Sequence, residues 1–220
     1  MKEVALVTGG ATGIGRAVAA ALSAAGFEVR AASRRSGHDL TDPAAVGRLV
    51  AGLPRLDLLV NNAGIAESAP VGKTTDEQWA RHFDLNVTAA FRLVRAALPL
   101  LRASGNGRIV NVVSTAGLKG SPYIAAYAAS KHALMGLTRV LAAELRDVKV
   151  HAVCPGFVDT DLTARSVANI VKQTGMSESD ARTALAKQNA SGRLVRPEDV
   201  AKAIVELARA GDTGREVVLE

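Results

Sequence analysis

Tyr127 and Lys131 lie four positions apart in the run Tyr127-Ala128-Ala129-Ser130-Lys131. On a helix, positions i and i+4 share a face, so this phenol and this ammonium can reach one pocket from adjacent turns. A cation beside a phenol favours the phenolate and lowers its pKa from about 10. The pair would then exchange a proton with a carbonyl or an alcohol near neutral pH. Ser114 lies upstream of the pair, and a glycine-rich turn, Thr8 to Gly15, opens the chain. A tuned acid next to a dinucleotide site implies hydride transfer.

Such a pair needs a frame. Val4 to Val7 is a continuous apolar run ending in glycines, the pattern of a strand buried on both faces of a parallel sheet. Further strands are expected over residues 29–32, 56–60, 109–113 and 148–153, with 215–219 closing the sheet as an edge or interior strand. Helical patterns fall over residues 15–25, 43–51, 76–102 and 125–146. Strand alternating with helix implies right-handed crossovers and an α/β fold, a Rossmann-type doubly wound parallel sheet. No composition shift divides the chain, so residues 1–220 are expected to form a single domain. The stretch from Thr160 to Arg193 is polar and helical but tied to no strand. Ser177 to Asp180 has the form of a capping box, and Pro197 opens the next helix. This insert, near residues 160–195, is expected to be a helical lid over the ligand.

Composition narrows the class. Hydrophobic residues make up 48% of the chain and aromatics only 3%, so the core is aliphatic. No apolar run approaches the roughly 20 residues of a membrane span. The first residues run straight into a strand pattern, leaving no room for a signal peptide. Cys154 is the sole cysteine, which excludes an internal disulfide and offers no metal spacing. It reads as a small buried hydrophobe. A cytoplasmic protein without a membrane segment is expected. The net charge of +6 comes from scattered Lys and Arg, with few aromatics for base stacking. That is not a nucleic-acid footprint; it is a basic surface that attracts small polyanions.

Gly9, Gly13 and Gly15, with Thr12 and Ile14 among them, follow a strand and open a helix. Glycine allows positive φ and close backbone approach, and free N–H groups at a helix start suit a pyrophosphate. The spacing differs from the commonest dinucleotide fingerprint. Asn61-Asn62-Ala63-Gly64 is a polar turn just past the strand at 56–60, at the end of the sheet where ligands bind. Asn86, amid apolar helix residues, reads as a satisfied polar group or a local kink. Ser33, Arg34 and Arg35 end the second strand, and no acid stands there. An acid would bind the ribose 2′-hydroxyl of NAD, whereas arginines accommodate a 2′-phosphate, so NADP(H) is favoured over NAD(H). Ser114 lacks the elbow motif of a hydrolase nucleophile. None of His38, His82, His132 and His151 sits in a suggestive motif.

Thr8-Gly9, Gly13, Gly15, Asn61 to Gly64, Ser114, Tyr127, Lys131 and Pro155-Gly156 occur in the order of the short-chain dehydrogenase/reductase family, which the chain resembles over nearly its whole length. The resemblance implies catalytic roles for Asn86, Ser114, Tyr127 and Lys131. Tyr127 would move the proton and Ser114 would hold the substrate oxygen. Lys131 would depress the phenol pKa and bind the nicotinamide ribose, and Asn86 would link the lysine to solvent through water. It also implies that Asn62, Ala63 and Gly64 lie near the adenosine ribose, and Pro155, Gly156, Val158 and Thr160 around the nicotinamide and phosphates. Asp39 and Leu40 would sit beside the adenine. One departure stands out: only Ser36, Gly37 and His38 separate Arg35 from Asp39, too few for the helix and strand that relatives carry there. The adenine side should be more open.

The chain resembles reductases of 3-oxoacyl thioesters, implying a small carbonyl or alcohol substrate carried on CoA or an acyl carrier protein. NAD-dependent dehydrogenases of sugars, steroids or cyclic alcohols share the pattern. A cofactor-sensing regulator of the same fold would lack the tyrosine or the lysine, and both are here. The helices over 84–102 and 125–146 carry the small apolar residues that relatives use to form a homodimer or homotetramer.

Overall fold

The computed structural model describes residues 2–220. Six parallel strands form one sheet in the order β2-β1-β3-β4-β5-β6. They are β1 (Val4–Thr8), β2 (Glu28–Ala32), β3 (Leu58–Asn61), β4 (Arg108–Val112), β5 (Lys149–Pro155) and β6 (Glu216–Leu219). The helices are α1 (Gly13–Ala24), α2 (Pro43–Ala51), α3 (Asp76–Phe83), α4 (Ala89–Ala103), α5 (Ala125–Glu144), α6 (Asp161–Thr174), α7 (Glu178–Ala186) and α8 (Pro197–Leu207). This is the expected Rossmann-type sheet with helices on both faces.

The apolar strand runs serve two cores at once, because successive side chains point to opposite faces. Ala5, Val7, Leu58, Val60, Val110 and Val153 pack on one face with residues of α1 and α8. Leu6, Leu59, Ile109 and Val150 pack on the other with residues of α2 and α4. From β1 the chain first moves outward to β2 and then returns to place β3 on the other side of β1. This reversal opens a crevice at the carboxyl ends of β1 and β3.

Three expectations change in detail. The helical pattern at 76–102 is broken by a π-helical stretch over Asp84–Thr88, and Asn86 within it is a satisfied polar group. The wider turn carries Asn86 inward, where it is buried. Strand β6 lies at the sheet edge, and β2 forms the other edge. Only a single 3₁₀ turn, Arg34–Ser36, follows β2, so no further strand covers it. At α7, Ser177 accepts from the Asp180 N–H, but the Asp180 carboxylate bonds the Ser177 hydroxyl instead of its N–H. Half of the capping box is therefore made. Pro197 opens α8 as expected. Among the described residues, no helix is long and apolar enough to cross a membrane, and no cluster of metal-ligating side chains occurs.

Candidate active site

The crevice is built first by Thr8, the last residue of β1. Its hydroxyl accepts from the N–H groups of Asn62 and Ala63 (2.9 and 3.0 Å) and donates to the Val60 carbonyl (3.2 Å). The Asn62 amide donates back to the Thr8 carbonyl at 2.8 Å. The ends of β1 and β3 are thus stitched together and face the glycine turn. Gly9 has φ +66° and Gly13 φ +50°, the left-handed region that favours glycine. A Cβ on Gly9 would lie 2.9 Å from the Asn62 amide nitrogen, and one on Gly15 would overlap the Gly9 carbonyl oxygen. Thr12 caps α1 without a side-chain hydrogen bond, so the first N–H groups of the helix are left for another acceptor.

A cleft of about 470 Å³ runs from this turn across the carboxyl ends of the strands. Gly9, Thr12, Gly13, Ile14 and Gly15 line one end, together with Ser33, Arg34 and Arg35. Asn62, Ala63 and Gly64 form a wall. Ser114, Tyr127 and Lys131 line the same cleft, and Pro155, Gly156, Val158 and Thr160 face it from beyond β5. Residues more than a hundred positions apart in the sequence therefore meet in one space.

Ser114 follows β4 and is buried, its Oγ accepting from the Ala116 N–H at 3.1 Å. Tyr127 stands in the first turn of α5, with Lys131 one turn on. Lys131 is buried, and its Nζ donates to the Val112 carbonyl at 2.9 Å. That nitrogen lies 5.9 Å from the centre of the Tyr127 ring. The electrostatics correct the opening expectation. Burial pushes the Tyr127 pKa up, and the Ser114 hydroxyl beside it pulls it partly back. Burial brings Lys131 down to about 8. Desolvation is the largest cause of both shifts, and it favours the neutral form of each group.

Asn86, Asp39 and Leu40 do not line the cleft. Asn86 supports it from behind: Oδ1 accepts from the Ile65 N–H (2.9 Å), and Nδ2 donates to the Ile65 carbonyl (3.0 Å) and to Ser130 Oγ (2.9 Å). A Cβ on Gly64 would come within 3.0 Å of Asn86 Oδ1 and 3.7 Å of Lys131 Nζ. Leu40 is withdrawn into the core beside Leu6, Ala32 and Leu59. With the connection after Arg35 this short, an apolar side chain at that point fills the sheet face. Asp39 is exposed and accepts from the Thr41 N–H (2.9 Å) and hydroxyl (2.7 Å), a local turn leading into α2.

The lid elements are present, and α6 reaches the cleft through Thr160, Leu162, Thr163 and Arg165. Sequence reasoning missed the rim that continues from Gly64. Ile65, Ala66, Glu67 and Ser68 line the cleft, as do Ser121 and Ile124 ahead of α5. Asn169 of α6 donates to Ser68 Oγ at 2.8 Å, joining lid to rim. Their signal was position alone, directly after the Asn61–Gly64 turn and directly before Tyr127. Tyr123, with φ +67°, is the one non-glycine residue of positive φ among those described, and its carbonyl accepts from the Ala69 N–H at 2.7 Å.

A family model described as short chain dehydrogenase matches residues 37–170. The chain is 35% identical to the acetoacetyl-CoA reductase of Rhizobium meliloti (strain 1021), over 94% of this chain and 91% of that protein. It is 32% identical to the 3-oxoacyl-[acyl-carrier-protein] reductase FabG of Escherichia coli (strain K12), over 94% of this chain and 89% of that one. A solved structure of an actinorhodin polyketide ketoreductase variant with NADPH matches with a TM-score of 0.92 at 31% identity, covering 99% of this chain and 95% of that chain. Sequence and backbone agree nearly end to end, across both walls of the cleft, and on that agreement the chain belongs to the short chain dehydrogenase family.

Proposed function

We propose that this protein interconverts a carbonyl and a secondary alcohol by hydride transfer with NADP(H), and that its substrate is a 3-oxoacyl thioester of CoA or an acyl carrier protein. The observation that carries this reading is the convergence of Ser114, Tyr127 and Lys131 on a cleft whose far end holds Arg34 and Arg35. The cleft residues fit a dinucleotide: glycines where a Cβ would collide, helix N–H groups without side-chain caps, and two arginines, Arg34 and Arg35, in the lining. The named activities of the relatives support the substrate class.

When bound, NADP(H) supplies or accepts the hydride. The chain's own residues do the rest. Tyr127, kept neutral by burial, holds a proton ready for the substrate oxygen in the reduction direction. Ser114 holds that oxygen in place. Lys131 keeps a positive charge at neutral pH that favours the phenolate left behind. Asn86 and Ser130 brace the wall and the first turn of α5, since Ser130 Oγ also donates to the Tyr127 carbonyl at 2.7 Å.

The test is loss of NADPH absorbance with a panel of ketones and oxoacyl thioesters, with NADH run in parallel. Turnover of oxoacyl thioesters with NADPH is the expected result. Binding of NADPH without turnover across the panel would overturn the reading and point to a cofactor sensor. In the same reading the protein is cytoplasmic; it is also homo-oligomeric, a reading supported by Phe91 on α4 and Val140 on α5, apolar side chains 44% and 57% exposed.

A further inference from the structure

His82, in the last turn of α3, takes no part in the chemistry described above. It is wholly buried, and both ring nitrogens are engaged. Nδ1 lies 2.7 Å from the Gln78 carbonyl oxygen, which can only accept, so Nδ1 carries the proton. Nε2 accepts from the Glu67 N–H at 3.1 Å, so it carries the lone pair. The two bonds fix one neutral tautomer. The ring also meets the Tyr127 ring edge-on, with centroids 6.4 Å apart. The neighbouring Arg81 pairs with the Glu67 carboxylate at 3.1 Å.

Glu67 belongs to the rim over Ile65–Ala69, which makes no helix and joins the sheet nowhere. Its backbone groups must be paired from outside. The Ile65 N–H is held by Asn86 and the Ala69 N–H by the Tyr123 carbonyl, while Asn169 holds the Ser68 side chain. The Glu67 N–H goes to His82. Leucine would fill a wholly buried helix position with no polar group to desolvate, so an imidazole there costs free energy that its two hydrogen bonds must offset. One of those bonds reaches the cleft wall, and the ring itself touches the proposed acid.

We propose that His82 is a positioning residue for the carbonyl substrate: it sets the spacing between the Glu67 wall and the Tyr127 ring, the gap in which the reacting group must sit. The inference rests on the reductase reading given above. Three variants separate the two hydrogen bonds. His82→Gln can still accept from the Glu67 N–H, His82→Asn can still donate to the Gln78 carbonyl, and His82→Leu does neither. The expected result is a KM for acetoacetyl-CoA raised about tenfold in His82→Asn and His82→Leu, the scale of a small misplacement, with His82→Gln within about twofold of the parent. The Kd for NADPH should hold steady in all three, because the glycine turn and the arginines are untouched. Hydrogen exchange at the Glu67 amide, read without turnover, should be slow in the parent and His82→Gln and fast in the other two. Equal protection of that amide in all four proteins, or a KM in His82→Gln as high as in His82→Leu, overturns the proposal. A parent protein inactive on every carbonyl overturns the reductase reading instead, and the exchange pattern still decides whether His82 holds the wall.

Discussion

The ammonium of Lys131 stands 5.9 Å from the centre of the Tyr127 ring while donating to the Val112 carbonyl at 2.9 Å. A helix brings the two side chains to one face, but a main-chain oxygen at the end of β4 fixes where the cation stops. Sheet and helix therefore set the pair together, and Ser114, two residues past Val112, is delivered to the same place by the same strand.

Tyr127→Phe removes the proton and little else, since the ring and its contact with His82 are kept. The expected outcome is a fall in kcat/KM of at least about 10²-fold, the scale of general acid catalysis, with unchanged NADPH binding by fluorescence titration. Near-parental turnover would refute the role given to Tyr127.

Lys131 links activity to stability through pH. Its pKa in the folded chain is about 8 against an ordinary 10.5, so the charged form is the costly one. Below pH 8 both states hold the proton and the penalty is fully present. Between 8 and 10.5 only the unfolded chain keeps it, so stability from this group rises with pH. Urea unfolding of the nucleotide-free protein should show a gain of about 2 kcal/mol from pH 7 to 9.5, relative to Lys131→Met. The methionine variant should be the more stable protein at pH 7 and nearly inactive. Parallel pH profiles for the two would remove the buried cation from the account.

Arg34 and Arg35 are proposed to meet the 2′-phosphate. Replacing both by alanine should lower kcat/KM with NADPH by about 10- to 100-fold, the worth of one or two charge-assisted hydrogen bonds. Turnover with NADH should change little. An equal loss with both cofactors would assign the arginines to the shared part of the dinucleotide.

Gly15→Ala places a methyl against the Gly9 carbonyl oxygen and 2.6 Å from the Asn62 amide nitrogen. Neither neighbour can retreat, because Asn62 is held by the Thr8 carbonyl. The substitution should cost about 1–3 kcal/mol of stability and abolish NADPH binding, measured by thermal unfolding with and without nucleotide. A nucleotide-induced rise in Tm equal to that of the parent would show that the turn can relax.

Much of this site could be read from the chain. The apolar runs at Val4–Val7 and Ile109–Val113, the glycines before α1 and the i, i+4 spacing of Tyr127 and Lys131 are local patterns with local causes, and the structure keeps each of them. Leu40 and Asp39 were less legible. Whether a residue just past a shortened connection faces a ligand or the core depends on where the sheet edge lies, and Leu40 took the core. The rim over Ile65–Ala69 carries no periodic signal, because its partners Asn86, His82, Asn169 and Tyr123 come from other elements.

By itself the sequence determined the alternation of strand and helix, the end of the sheet where the glycine turn lies and the shared helix face of Tyr127 and Lys131, since these follow from side-chain period, backbone freedom and spacing along one element. The tertiary structure decided the charge preference of those groups and the shape of the space between them. Desolvation acts through everything packed around a side chain, so burial reversed the direction expected for Tyr127 from its lysine neighbour alone. The same long-range packing turned His82, one histidine among four without a motif, into the contact that joins the cleft wall to the phenol ring.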